Sequence, residues 1–128
     1  CEEHGTTWKP YLREGRFRME SGYEMMCSLI EAEKLPSAVF AASDPIAMGA
    51  MKALQEHGIS VPEEISIIGF DDISISGFTS PPLTTVHAPA YHMGKYGASL
   101  IHHIIRNQTG PAMKILLPCS LTLRESCR

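Results

Sequence analysis

The segment Ile65 to Asp72 constrains this chain more than any other. Ile65, Ile67, Ile68 and Phe70 form a short, largely β-branched apolar run that passes through Gly69 and ends abruptly on two adjacent carboxylates, Asp71 and Asp72. A continuous apolar run of this length reads as a strand buried on both faces, the signature of a parallel sheet. Polar groups at the carboxyl end of such a strand sit where open α/β sheets bind ligands.

The surrounding pattern agrees. Ala38 to Ala42 reads as a second short strand, then Asp44 as a helix N-cap with Pro45 at the first helical position. Ala47, Ala50, Met51 and Leu54 mark one buried stripe that closes near His57 and Gly58. Strand, helix, strand with short connections predicts a right-handed parallel unit in which Ala38–Ala42 and Ile65–Gly69 are adjacent central strands, with helices on both faces of the sheet. Upstream, Ser21-x-x-Glu24 reads as a capping box opening a helix to about Lys34, stopped by Pro36. Downstream, Ile73 to Pro82 is loop-like, Leu83 to Val86 a strand, and Pro89 opens a helix burying Gly97, Leu100, Ile101 and Ile104 before Asn107. Ile115–Leu117 and Ser120–Leu123 read as two short strands interrupted by Pro118, and the first twenty residues as loop with a possible early strand.

Composition excludes several functions. The 128 residues suit about one domain. A net charge of −3 with scattered Lys and Arg argues against a surface that grips phosphates. No apolar run approaches the roughly 20 residues of a membrane span, and no charged-then-apolar leader opens the chain. Both features predict a cytoplasmic protein with no membrane partner. The four cysteines, Cys1, Cys27, Cys119 and Cys127, lack the close spacing of zinc or redox pairs. Cys27 is most simply a small hydrophobe on a helix. His102 and His103 point to different sides of a helix and cannot chelate together. No metal and no cofactor are expected. With no Gly-rich phosphate loop, no nucleophile elbow and no His near the two carboxylates in sequence, an enzyme is not expected either.

Three motifs occur together: Pro36-Ser-Ala-Val-Phe-Ala-Ala-Ser-Asp-Pro-Ile-Ala-Met-Gly-Ala, then Val61-Pro-Glu-Glu-Ile-Ser-Ile-Ile-Gly-Phe-Asp-Asp with Ser80-Pro-Pro-Leu-Thr-Thr-Val, then Leu121-Thr-Leu-Arg-Glu-Ser. In order and spacing they resemble the effector-binding domain of lactose/galactose-repressor family transcription regulators. The resemblance implies an α/β, parallel-sheet, periplasmic-binding-protein-like type I fold with flavodoxin-like lobes, of which this chain supplies a partial domain. Residues 1–87 and 119–128 would belong to the C-terminal lobe and 88–118 to a segment crossing to the N-terminal lobe. The DNA-binding headpiece has no counterpart here.

The same resemblance implies the sites. Asp71 matches a carboxylate that accepts hydrogen bonds from ligand hydroxyls or ring nitrogens, a role suited to a sugar diol because a carboxylate can take two donors. Phe17 falls where the family covers one ligand face with an aromatic ring. Ser43 stands where many members carry Asn, and its single hydroxyl offers a different contact. Ala88 replaces a position that is often polar. Simpler roles remain open: Asp71 as a loop cap, Phe17 as core, Asp44 as helix cap, and Asp72 as a structural group facing away from Asp71. Met48, Lys52 and Phe78 resemble positions on the family's dimer face, with Met48 off the buried stripe of its helix. The implied function is sensing of a small-molecule effector, a sugar, by a homodimer that meets DNA only through a headpiece. The alternative is a sugar-binding protein of a transport system on the same fold, against which the scattered thiols count.

Overall fold

The computed structural model describes residues 9–33, 35–107 and 113–128. A turn of 3-10 helix at Lys9–Tyr11 precedes helix α1 (Met19–Glu31), strand β1 (Ala38–Phe40), helix α2 (Asp44–Glu56) and strand β2 (Ser66–Asp71). A second 3-10 turn (Ser74–Phe78) leads to strand β3 (Thr84–His87), helix α3 (Ala90–Asn107) and strand β4 (Ser120–Thr122). The strands form one sheet in the order β1-β2-β3-β4. β1 and β2 pair in parallel with Val39 opposite Ile67, and β2 and β3 with Phe70 opposite Val86. β4 runs antiparallel to β3. The expected parallel β1-α2-β2 unit is therefore present, inside a sheet that is mixed rather than wholly parallel.

Several expectations need correction. β1 is an edge strand among the described residues, not a central one. α1 begins two residues before the expected capping box, so Ser21 is already helical and its Oγ accepts the Arg16 amide at 3.0 Å, while extended Arg18 is the N-cap without a side-chain bond. The helix ends at Glu31; Lys34, Cys1 and the possible early strand lie outside the described residues. Ile115–Leu117 is not a strand. Gly97, Leu100, Ile101 and Ile104 are not buried: no residue of α3 from 90 to 106 is, and Ile101, Ile104 and Ile105 are largely exposed.

The core lies between one sheet face and the α1–α2 layer. Strand alternation turns Val39, Ala41, Ile67 and Gly69 toward the helices, where Met26, Leu29, Ala47, Ala50, Met51, Ala53 and Leu54 meet them together with Ile65 and Leu83. Truncating the fully buried Leu54 to Ala would cost about 2–5 kcal/mol. Two glycines let the helices touch backbone to backbone: a Cβ at Gly22 would strike the Ile46 carbonyl and one at Gly49 the Met19 carbonyl. The opposite sheet face carries Phe40, Ile68, Phe70, Val86 and Leu121 in register and has no described helix on it, so the expected two-sided covering is one-sided here. Only its lower end is closed, where the Ser126 hydroxyl donates to the Ile67 carbonyl at 2.6 Å and accepts the Thr84 amide at 2.8 Å.

Candidate functional site

The carboxyl ends of β1, β2 and β3 open side by side. They present Ala42 and Ser43, then Asp71 and Asp72, then His87 and Ala88.

Ser43 and Asp44 take roles one residue removed from expectation. Ser43 has extended backbone and is the N-cap of α2, its Oγ accepting the Ile46 amide at 3.5 Å, and it is only 3% exposed. Asp44, expected as the cap, is the first helical residue and 0% exposed. Its Oδ2 accepts the Ile73 amide at 2.9 Å and the Ser76 hydroxyl, and its Oδ1 accepts the Thr85 hydroxyl. A buried carboxylate needs such donors. Gly69 makes room for it, because a Cβ there would collide with Oδ1.

Asp71 is exposed and its carboxylate has no hydrogen-bond partner among the described residues. Local burial, then the Asp44 charge, push its pKa above the ordinary aspartate value. Asp72 is the reverse. Burial alone would raise its pKa, but hydrogen bonds from Arg124, Thr122 and His87 and the Arg124 charge outweigh burial and hold it low. The two carboxylates face different neighbours, across a strand end where both residues have positive φ.

Phe17 is 70% exposed and lines an open cleft of about 430 Å³ with Met25, Leu29, Phe40 and Ala42. The cleft reaches Ala42, next to Ser43, but Asp71 is not in its wall. The structure thus sets Ser43 and Asp71 on neighbouring strand ends and Phe17 across the cleft from β1, without bringing all three to one cavity. Among the described residues no cluster of His, Cys, Asp or Glu could hold a metal ion. No described helix is long and apolar enough to cross a membrane.

The three dimer-face candidates separate. Met48 is 8% exposed, which the α1–α2 contact accounts for, beneath a shallow groove of about 480 Å³ shared with Met19, Tyr23 and Lys52. Lys52 pairs with Glu56 at 2.9 Å on the surface. Glu56 also accepts the Tyr23 hydroxyl at 2.6 Å, an arrangement that pushes the Tyr23 pKa up to about 12. Phe78 is 86% exposed.

Sequence reasoning missed His87 and Arg124. The single usable signal was the cationic Arg124 inside the Leu121-Thr-Leu-Arg motif, just beyond a short strand.

Comparison with known proteins is specific. The family described as periplasmic binding protein-like domain matches residues 1–127. The chain is 52% identical over 84 residues to the HTH-type transcriptional repressor PurR of Actinobacillus pleuropneumoniae serotype 3 (strain JL03), covering 66% of this chain and 25% of that protein. Its structure matches the transcriptional regulator CelR–cellobiose complex with a TM-score of 0.90 at 32% identity, over 98% of this chain and 38% of that one. It matches the lac repressor dimer bound to operator and the anti-inducer ONPF with a TM-score of 0.83 at 31% identity, over 90% of this chain and 40% of that one. The chain spans about a quarter to two-fifths of the length of these relatives. The sheet order, the strand-end carboxylates and these matches agree: the chain belongs to the periplasmic binding protein-like domain family, as the effector-binding domain of lactose/galactose-repressor regulators builds it.

Proposed function

We propose that this chain is part of the effector-sensing domain of a cytoplasmic, DNA-binding transcriptional regulator, and that its effector is a small sugar. Asp71 is the principal ligand contact, Phe17 covers one ligand face, and Ser43 contributes through its backbone position at the α2 N-terminus. Residues 1–87 and 119–128 form one lobe. Residues 88–118 reach across to the other lobe, and a homodimer forms through the face carrying Met48, Lys52 and Phe78. DNA is met through a headpiece outside this chain, and no chemical step is catalysed.

One observation carries the reading: Asp71 is an exposed carboxylate with no hydrogen-bond partner among the described residues, at the carboxyl end of a parallel strand, and the neighbouring strand end carries Ala42, which lines a largely apolar cleft. An acceptor-only group poised beside an apolar wall suits a ligand with hydroxyl edges and an apolar face. The cellobiose bound by the similar CelR regulator is such a ligand. The uncovered apolar side of α3, with Ile101, Ile104 and Ile105, supports its assignment to a second lobe.

The test is titration calorimetry of the intact regulator against cellobiose, ribose and other mono- and disaccharides. Saturable heat from one of them, lost in Asp71→Asn, is the expected result. No heat from any sugar in a sample that still binds operator DNA would overturn the sugar assignment.

A further inference from the structure

Two consecutive non-glycine residues at the end of β2 have positive φ, Asp71 at 108° and Asp72 at 57°. The second value lies in the left-handed well that aspartate enters more readily than most residues, whereas the first lies outside it. A backbone of this kind persists only where its surroundings hold it, and such sites cluster at ligand clamps and switch regions.

The surroundings here are unusually complete on one side. Asp72 Oδ1 accepts Arg124 Nη2 at 2.7 Å, and Oδ2 lies 3.1 Å from both the Thr122 hydroxyl, which donates to it, and His87 Nδ1. Arg124 is itself fixed, its Nη1 donating to the Leu83 carbonyl at 2.7 Å and its amide to the Thr84 hydroxyl at 2.9 Å. On the other side Asp44 holds the Ile73 amide at 2.9 Å. The two residues that follow Asp71 are thus anchored, while the Asp71 carboxylate has no hydrogen-bond partner among the described residues.

We propose that Asp72 is a positioning residue for the ligand site: clamped by Arg124, Thr122 and His87, it holds the left-handed turn that aims Asp71 and ties that turn to β3 and β4. This rests on the reading of Asp71 as effector contact. The placement of the partners gives it a mechanical sense. His87 ends β3, from which the chain leaves through Ala88 and Pro89 for α3, Thr122 ends β4, the strand on which it returns, and Arg124 lies two residues beyond it. One carboxylate therefore joins the outgoing strand, the returning strand and the ligand-facing turn. A change in how β3 and β4 leave the sheet reaches Asp71 through Asp72, and a ligand held by Asp71 resists that change.

A purely structural Asp72 would staple the tail of the chain to the sheet without affecting Asp71. A carboxyl titration of the full chain by carbon NMR separates the two, comparing wild type with Arg124→Met. A rise in the Asp72 midpoint reports that the clamp is cut. Positioning then requires the Asp71 midpoint to fall toward the ordinary value of about 3.9, as its side chain moves away from the strand end and the Asp44 charge. A cut clamp with an unmoved Asp71 midpoint would overturn the proposal. If Arg124→Met does not fold, Thr122→Val removes one donor and is read by the same two midpoints. No effector is added, so failure of the effector reading leaves this result intact, and failure here leaves the calorimetric test of Asp71 standing.

Discussion

Asp72, just past the end of β2, accepts the Arg124 guanidinium at 2.7 Å, while Asp71, the last residue of that strand, has no such partner among the described residues. The pair divides the work of a strand end: one carboxylate spends its lone pairs on the protein and the other keeps them for solvent or ligand. The opposite directions of their pKa shifts follow from that division.

For Asp71→Asn in the intact regulator, effector affinity should fall by about 1.5–3 kcal/mol, the range for hydrogen bonds to charged groups. A raised native pKa means that the aspartate contributes stability only at low pH and loses it as pH rises through that value. The variant should therefore melt at the same temperature as wild type or slightly above it at neutral pH. Calorimetric titration beside a thermal melt checks both, and unchanged affinity would remove Asp71 from the site.

Asp72 has the opposite sign. Its depressed pKa gives stability that is complete above the ordinary aspartate value of about 3.9 and is lost as pH falls through the native value. Urea melts between neutral pH and pH 2 should show that acid loss in wild type and a shallower one in Arg124→Met, where the pair at 2.7 Å is gone. Parallel curves would mean that the pair stores no pH-dependent stability.

Ser43→Ala tests cap against contact. The Ser43 hydroxyl caps α2, so its loss should cost about 1 kcal/mol of stability. Its burial predicts little change in effector affinity. A large affinity loss at full stability would instead make the hydroxyl a direct contact.

Phe78 projects into solvent at 86% exposure, and burying such a ring against a partner contributes about 1.5–3 kcal/mol. Phe78→Glu should raise the dimer dissociation constant of the intact regulator at least tenfold by sedimentation equilibrium, whereas Lys52→Ala, at an exposed pair with Glu56, should change it little. An unaltered dimer in Phe78→Glu would move the interface elsewhere.

The isolated chain leaves two apolar surfaces open, the α3 stripe and the Phe40, Ile68, Phe70 face of the sheet. Sedimentation velocity should find it associated rather than at the monomer mass of 14.1 kDa. A stable monomer with α3 protected from amide exchange would contradict the assignment of 88–118 to a second lobe.

The parallel β1-α2-β2 unit was legible because its signals are local: two apolar runs and one amphipathic stripe within 34 residues, Ala38 to Asp71. The exchange of roles between Ser43 and Asp44 was not, because both residue types cap helices well and the choice is made by Ile73, Ser76 and Thr85, which lie 29 to 41 residues away. The Asp72–Arg124 pair, 52 residues apart, is equally invisible to spacing. Burial in α3 was overestimated for a related reason: helical periodicity tells which side wants cover and says nothing of whether the cover is in the same stretch of chain. Of the candidate site, the strand-end location was readable, but the separation of Phe17 from Asp71 depends on how the segment before α1 lies against β1.

The bare backbone contact at Gly22 and Gly49 limits how this domain can respond to anything it binds. With each glycine seated against the other helix's carbonyl, α1 and α2 have no slip plane, and neither position admits even a methyl group without forcing the helices apart. The helical layer can tilt or travel only as one slab. Conformational response must then be absorbed in the loops at the strand ends, where the backbone has alternatives that two interlocked helices lack.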